Sequence, residues 1–206
     1  MARVNVYIDG FNLYYGSTKD TPYRWLDLRQ LCSQMLPNDY VQQIKYFTAL
    51  VNARPHDPQQ PIRQQIYLRA LRTLPNFSIH FGHFLTHSCR MALTGTNPAQ
   101  KVWVDKTEEK GSDVNLASHL LMDGFNGAYE VAVLITNDSD LAEPVRMVRN
   151  QLHLGIGILN PHQQHSQQLK NLATFIKRIR QSDLITAQFA PTLTDAKGTF
   201  TKPASW

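Results

Sequence analysis

The chain is poor in the features that most often announce a function. It has two cysteines, Cys32 and Cys89, with no partner motif around either. A disulfide framework is therefore excluded, and both read as free thiols in a reducing compartment. No apolar run is long enough to cross a bilayer. The opening Met1-Ala2-Arg3-Val4-Asn5-Val6 lacks the charged, apolar and small-residue regions of a signal peptide. A cytoplasmic location without a membrane partner is the expectation. No G-x-G-x-x-G follows the first strand and no P-loop lysine motif is present, which ranks a nucleotide-binding regulator or phosphatase low. Internal repeats and low-complexity tracts are also missing.

What is present is ordinary in amount and informative in arrangement. The 206 residues suit one α/β domain with a small appendage, and 42% of them are hydrophobic. A formal charge of +5 and a pI near 9.3 are compatible with a polyanionic partner. Size and composition leave homo-oligomerisation open.

Strand-like and helix-like segments alternate along the chain. Val4, Val6 and Ile8 alternate with Asn5 and Tyr7, which predicts a first strand. Leu26, Leu28, Leu31 and Met35 have helical spacing, and Pro37 marks a stop. Residues 43–51 read as a second strand, a helix runs through Ile62, Ile66 and Leu71, and Phe77, Ile79, Phe81 and Leu85 suggest a third strand. Residues 86–105 carry a turn at Gly95, Asn97 and Pro98 and suit a hairpin insertion. Gly111 to Phe125 is helical in pattern. Val131 to Ile135 and Leu154 to Leu159 are continuous apolar runs, the mark of strands covered on both faces. Ser139 to Leu152 and residues 166–174 predict helices, and a short last strand runs through Phe175 and Ile179. The domain is placed at 1–185, and residues 186–206 are expected to form a flexible C-terminal tail. The alternation implies a mainly parallel central sheet with helices on both faces. Ligands of such sheets sit beyond the carboxyl ends of the strands.

That rule directs attention to the aspartates. The first strand ends in Ile8-Asp9-Gly10-Phe11-Asn12, and the run 131–135 ends in Thr136-Asn137-Asp138-Ser139-Asp140. Asp113, in Lys110-Gly111-Ser112-Asp113, opens a predicted helix. Each has a purely structural reading. Asp113 or Ser112 can cap a helix, Asp138 or Ser139 can cap the next, and Asp9-Gly10 can be a turn. Taken together, the structural reading weakens. Carboxylates converging within about 4–6 Å repel by roughly 3–4 kcal/mol per pair at an effective dielectric near 20. A protein keeps such a cluster when a divalent cation neutralises it, and oxygen ligands favour Mg2+ or Mn2+ over zinc. Asn12 can orient a water or phosphate, while Thr136 and Ser139 offer hydroxyls beside the ligands.

Three segments also carry a family resemblance. Val6-Tyr7-Ile8-Asp9-Gly10-Phe11-Asn12-Leu13-Tyr14, Glu108-Glu109-Lys110-Gly111-Ser112-Asp113-Val114-Asn115-Leu116-Ala117 and Val133-Leu134-Ile135-Thr136-Asn137-Asp138-Ser139-Asp140-Leu141 resemble, in order, the three signatures of the NYN domain family, a branch of the PIN-like nucleases. The resemblance covers about residues 3 to 180, with the LabA-like bacterial proteins as the most similar group. It implies a PIN-like three-layer sandwich, a divalent-metal site and ribonuclease activity on single-stranded or structured RNA. Asp9, Asp113, Asp138 and Asp140 then become the metal-binding and catalytic acids, assisted by Asn12, with Glu109, Thr136, Asn137 and Ser139 as auxiliaries. Thr136-Asn137 stands where many relatives have Ser-Gly, which stiffens that loop. The alternative is a catalytically weak RNA-binding regulatory module with a vestigial site.

Other clusters weigh less. His80, His83, His87 and Cys89 match no standard zinc spacing. Asp123 follows Asp113 by ten residues, about 15 Å along a straight helix, too far to share one ion. His119 lies on another helical face and suits hydrogen bonding near the sheet. Arg63, Arg69, Arg72, Lys170, Lys177, Arg178 and Arg180 read as solvated faces or as a phosphate-tracking groove. Tyr14, Tyr15 and Trp25 suit base stacking or, for Trp25, core packing.

Overall fold

The computed structural model describes residues 1–206. In chain order it contains β1 (Arg3–Asp9), α1 (Gly10–Leu13) running into a π-helical segment (Tyr14–Thr18), α2 (Leu28–Met35), β2 (Tyr40–Thr48), α3 (Gln60–Leu71) and β3 (Phe77–Phe81). Then come β4 (His83–Ala92), β5 (Lys101–Lys110), α4 (Ser112–Phe125), β6 (Val131–Ile135), a 3-10 turn (Ser139–Leu141) and α5 (Ala142–Asn150). The chain closes with β7 (Gly155–Asn160), α6 (Gln167–Leu172), β8 (Phe175–Arg178), α7 (Gln181–Thr186), β9 (Thr192–Asp195) and β10 (Gly198–Thr201).

Six strands form one sheet in the order β3-β2-β1-β6-β7-β8, and every pairing is parallel. Successive strands first add outward from β1 through β2 to β3. The chain then returns to the other side of β1 and adds β6, β7 and β8. The reversal leaves a switch point at the carboxyl ends of β1 and β6, where crossover loops part and a crevice opens.

The period-2 pattern of β1 explains its central place. Val4, Val6 and Ile8 enter one core with Leu28, Leu31, Leu68, Leu71 and Leu184 from α2, α3 and α7. Tyr7 points into the other core, with Leu116 and Leu120 of α4, Val145 and Val148 of α5 and Leu169 of α6. Helices thus cover both faces of the sheet, the three-layer arrangement of a PIN-like sandwich.

Three expectations are revised, and for Trp25 one of two readings is selected. Residues 186–206 are not a loose tail. Phe189 and Phe200 are buried in the first core, β9 and β10 pair antiparallel, and Arg69 grips Asp195 through bonds of 2.8 and 2.6 Å. Trp25 is 1% exposed; its ring meets Phe189 and Trp206, and its indole N–H donates to the Ala190 carbonyl. It is therefore a core residue and is withdrawn from nucleic-acid stacking. The helix expected from Ser139 starts as a 3-10 turn and becomes α-helical only at Ala142. The hairpin expected within 86–105 is present but longer, since β4 and β5 pair along their full lengths from His83–Lys110 to Ala92–Lys101.

A charged clamp fixes the far end of α4. Asp123 receives Lys45 Nζ at 2.6 Å and the Tyr7 hydroxyl at 2.6 Å, so one carboxylate oxygen ties the helix to β2 and β1. Lys45 also lies 3.4 Å from His119 Nδ1. Burial and the Asp123 charge hold the Tyr7 hydroxyl protonated far above its ordinary range. Asp123→Ala removes the partner of a lysine only 7% exposed. The expected loss is about 3–5 kcal/mol of unfolding free energy, read as a lower urea midpoint. A loss below about 1 kcal/mol would show that the clamp does not hold the helix.

Candidate metal centre

Three of the four sequence-predicted aspartates meet at the switch point. Carboxylate oxygens of Asp9, Asp113 and Asp138 all lie within 4.8 Å of one another. The first comes from the end of β1, the second from the first turn of α4, and the third from the loop after β6. No other group of three or more His, Cys, Asp or Glu side chains is close enough to share an ion.

Capping aims two of them. The Asp9 carboxylate accepts the Asn12 N–H at 2.9 Å and so caps α1. The Asp138 carboxylate accepts the Asp140 N–H at 2.9 Å and caps the 3-10 turn. In both, the cap uses Oδ1 while the carboxylate still lies in the cluster. Capping and ligation are therefore compatible duties of one side chain.

Asp113 caps nothing. The cap position of α4 is Gly111, in the left-handed region at φ 97° with no side-chain bond, a conformation natural to glycine. The free N–H of Ser112 is satisfied instead by Glu109 Oε1 at 3.0 Å, and the Ser112 hydroxyl donates to the same oxygen at 2.7 Å. Glu109 is thus a helix-positioning group, which leaves Asp113 free. Gly82 permits this approach, because a Cβ there would stand 2.2 Å from Glu109 Oε1.

Neighbouring polar groups stitch the segments together. Thr136 is fully buried; its hydroxyl donates to Asp9 Oδ2 at 3.2 Å and accepts the Asp138 N–H at 3.1 Å. Asn12 Oδ1 accepts the Asn137 N–H at 2.8 Å, joining the first loop to the third. The Asn137 side chain accepts from Ser166 N at 2.7 Å and donates to the Gln164 carbonyl at 3.0 Å. Asn137 is therefore a fastener, where a glycine would leave the loop untied. Ser139 is exposed. Asp140 is exposed as well and lies outside the triad, although its charge still reaches Asp113.

The electrostatics register the crowding. Asp9 is pushed up to about 6, first by burial and then by the charges of Asp113 and Asp138, against the opposing bonds from Asn12 and Thr136. Burial, with Asp138, Glu109 and Asp140, also raises Asp113. An oxygen-only set of mutually repelling carboxylates fits a hard divalent cation such as Mg2+ or Mn2+.

The remaining candidates fall elsewhere. Asp123 and His119 belong to the clamp with Lys45. His80 stacks on Phe47 at 5.0 Å and lies on β3, while His83, His87 and Cys89 lie on β4. Arg63 is paired with Asp57, Arg69 with Asp195, and Lys177 bonds the Met35 carbonyl. Tyr14 and Tyr15 pack edge to face, with Tyr15 exposed.

A parallel sheet with three acidic side chains gathered at its switch point defines a nuclease-like α/β domain. The chain belongs to the NYN domain family, whose model matches residues 3–183. It is 31% identical, over an alignment of 235 residues, to the 6-hydroxy-3-succinoylpyridine 3-monooxygenase HspA of Pseudomonas putida (strain DSM 28022 / S16). That alignment covers 99% of this chain and 75% of the relative. The fold is similar to the crystal structure of a protein of unknown function, VPA0982, from Vibrio parahaemolyticus RIMD 2210633. There the TM-score is 0.56 and the identity 16%, covering 87% of this chain and 94% of that one. No helix is long and apolar enough to cross a membrane.

The raised Asp9 carboxyl yields a signed prediction. Its folded value of about 6 exceeds an unfolded value of about 4. Charged Asp9 therefore destabilises the metal-free fold above pH 6, and the penalty fades as pH falls from 6 to 4. Asp9→Asn should raise the unfolding free energy in chelator by about 1–3 kcal/mol at pH 7, with the gain fading at pH 4. Added Mn2+ should stabilise the parent protein and not the variant. Equal stability of the two at pH 7, by urea denaturation, would contradict the assignment.

Proposed function

We propose that this chain is a divalent-metal-dependent endoribonuclease, with RNA as its partner and Mg2+ or Mn2+ as its cofactor. The observation that carries the reading is the convergence of Asp9, Asp113 and Asp138 within 4.8 Å at the switch point of a parallel sheet. These three residues would hold the cation. A cation bound there supplies Lewis-acid polarisation of a phosphodiester and lowers the pKa of water beside it. The protein's part is positioning. Thr136 and the α1 cap fix the Asp9 carboxylate, while Glu109 holds the first turn of α4 so that Asp113 faces inward. Asn12 locks the loop that carries Asp138. Asp140, exposed and two residues after Asp138, would accept a proton from attacking water, with Ser139 and Asn137 as neighbouring polar groups. Family membership supports the reading, and a cytoplasmic setting, where RNA is abundant, suits it.

A catalytically weak RNA-binding module is the reading that Thr136-Asn137 favours, since the third loop is tied down where relatives have Ser-Gly. Salt-sensitive RNA binding without cleavage under any divalent metal would select it. A further reading comes from the name of the 31% identical relative. Ring hydroxylation consumes dioxygen and two electrons from a reductant, with one oxygen leaving as water. The triad contains no histidine, unlike the two-His, one-carboxylate set of non-haem iron oxygenases. Oxygen uptake in the presence of 6-hydroxy-3-succinoylpyridine and reduced nicotinamide would support hydroxylation.

Under the ribonuclease reading, the purified protein cuts labelled single-stranded RNA with Mn2+ or Mg2+ and stops in chelator. Asp9→Asn and Asp113→Asn reduce cleavage to background while remaining folded. Asp140→Asn reduces it less than Asp113→Asn does, because Asp140 lies outside the triad. Cleavage that persists undiminished in Asp9→Asn would point to a contaminant and remove the support for this site.

A further inference from the structure

A polar cavity of about 300 Å³ opens beyond the carboxyl ends of β7 and β8. Its wall includes Ser17, Tyr23, Gln163 and Gln181, with one cation, Arg178, and one carboxylate, Asp20. These residues come from four separate segments: the π-helical turn after α1, the stretch before α2, the loop after β7, and the β8–α7 junction. The cavity lies on the same sheet edge as the acidic triad. The triad straddles β1 and β6, and the cavity straddles β7 and β8, two strand positions further along. Strand spacing makes that about 10 Å along the edge.

The ground between the two is continuous and polar. Asn12 bonds Asn137, and Asn137 bonds Gln164 and Ser166. The Asn160 side chain also donates through Nδ2 to the Gln164 carbonyl at 3.0 Å and accepts the His162 N–H on Oδ1 at 2.9 Å. Ser17 closes the shelf by donating to the Pro161 carbonyl at 2.6 Å. Gly16 allows that closure, since a Cβ there would stand 2.8 Å from the His162 ring.

Arg178 supplies the charge. It is exposed and belongs to none of the seven ion pairs in the protein. Of the six other cations singled out in the sequence, Arg63 and Arg69 are committed to aspartates and Lys177 to a carbonyl, while Arg72, Lys170 and Arg180, like Arg178, join no ion pair. A free guanidinium suits a phosphate, which it binds through two parallel N–H bonds. Beside it stand the Gln163 amide and the Tyr23 ring, whose hydroxyl accepts the Gln181 amide N–H at 3.0 Å, the kinds of group that hydrogen-bond and stack on a base.

We infer that this cavity is a nucleotide-binding subsite for the RNA strand, seating one phosphate on Arg178 and its nucleoside in the pocket, to the side of the metal centre. The inference rests on the ribonuclease reading for its ligand and gives that reading a direction. The strand runs from the triad across β6 and β7 toward β8.

The test is fluorescence anisotropy of a labelled single-stranded RNA at low salt in chelator, so that binding is read whether or not cleavage occurs. Arg178→Ala should weaken binding about 3–10-fold and reduce the slope of log affinity against log salt by about 0.7. Gln163→Trp, an exposed position that crowds the cavity, should weaken it with the slope kept. Arg146→Ala, which removes a cation on α5 already paired with Glu143, serves as the charge-matched control and should bind as the parent does. Equal affinity in Arg178→Ala, Gln163→Trp and the parent would overturn the subsite. So would an equal loss in Arg146→Ala, which would mean net charge alone is at work. If succinate binds in an Arg178-dependent way while RNA binding is unaffected by it, the cavity serves a small carboxylate and the nucleotide assignment falls. Arg178-dependent RNA binding without cleavage in any metal would sustain the subsite and defeat the ribonuclease reading alone.

Discussion

Three carboxylates share a space of 4.8 Å with no lysine or arginine paired to any of them. Much of the surrounding structure can be understood as the means of holding that unfavourable arrangement. Elsewhere the protein treats buried charge conventionally. Asp123 has Lys45 and a tyrosine hydroxyl, and Asp195 has both arms of Arg69. At the switch point no lysine or arginine opposes the charge. The cluster survives because each carboxylate is delivered by a different rigid element, so relaxing the repulsion would require moving a strand end or a helix.

The fold's layering makes the delivery exact enough to matter. β1 is central and buried on both faces, so Asp9 cannot drift without disturbing two cores. α4 is held at one end by Glu109 and at the other by the Asp123 clamp, separated by about three turns. The position of Asp113 is therefore set by contacts at both ends of its helix. The loop after β6 has no such helix of its own. It borrows order from Asn12 on one side and, through Asn137, from the loop after β7 on the other.

The sequence made some of this legible and hid the rest for physical reasons. The strands were readable because alternation in β1 and unbroken apolar runs in β6 and β7 are strong local signals. Asp9 and Asp138 were readable because strand ends are where such sheets bind ligands. The C-terminal hairpin was not. Its anchors, Phe189, Phe200 and Trp206, are single apolar residues in polar surroundings, and no period joins them. Their burial depends on Trp25, far away in sequence. The cap of α4 is hidden in a similar way. Ser112 and Asp113 have the side chains of a cap, yet Glu109 does the work from the preceding strand across a left-handed glycine. Asp140 looked equivalent to Asp138 two positions earlier, but the tight 3-10 turn sends it to solvent and outside the triad. The π-helical segment after α1, which walls the β7–β8 cavity, left no sequence signal at all.

The strand order invites comparison with dinucleotide-binding sheets, which also place their ligand at the switch point after the first strand. In those folds a glycine-rich loop brings the pyrophosphate onto the free N–H groups at the start of the next helix. Here that place is taken. Asp9 itself caps α1, so a carboxylate already occupies the anion-binding end of the helix. Gly10 does not open room for a phosphate either. It is a glycine because a Cβ would stand 2.6 Å from the Tyr46 ring and 2.8 Å from the Phe47 carbonyl. One substitution of role, an aspartate for the anion, turns the same topological crevice from a site for negative ligands into one for a cation. On the proposed reading a phosphate would reach this crevice through such a cation, with Arg178, outside every ion pair, to its side.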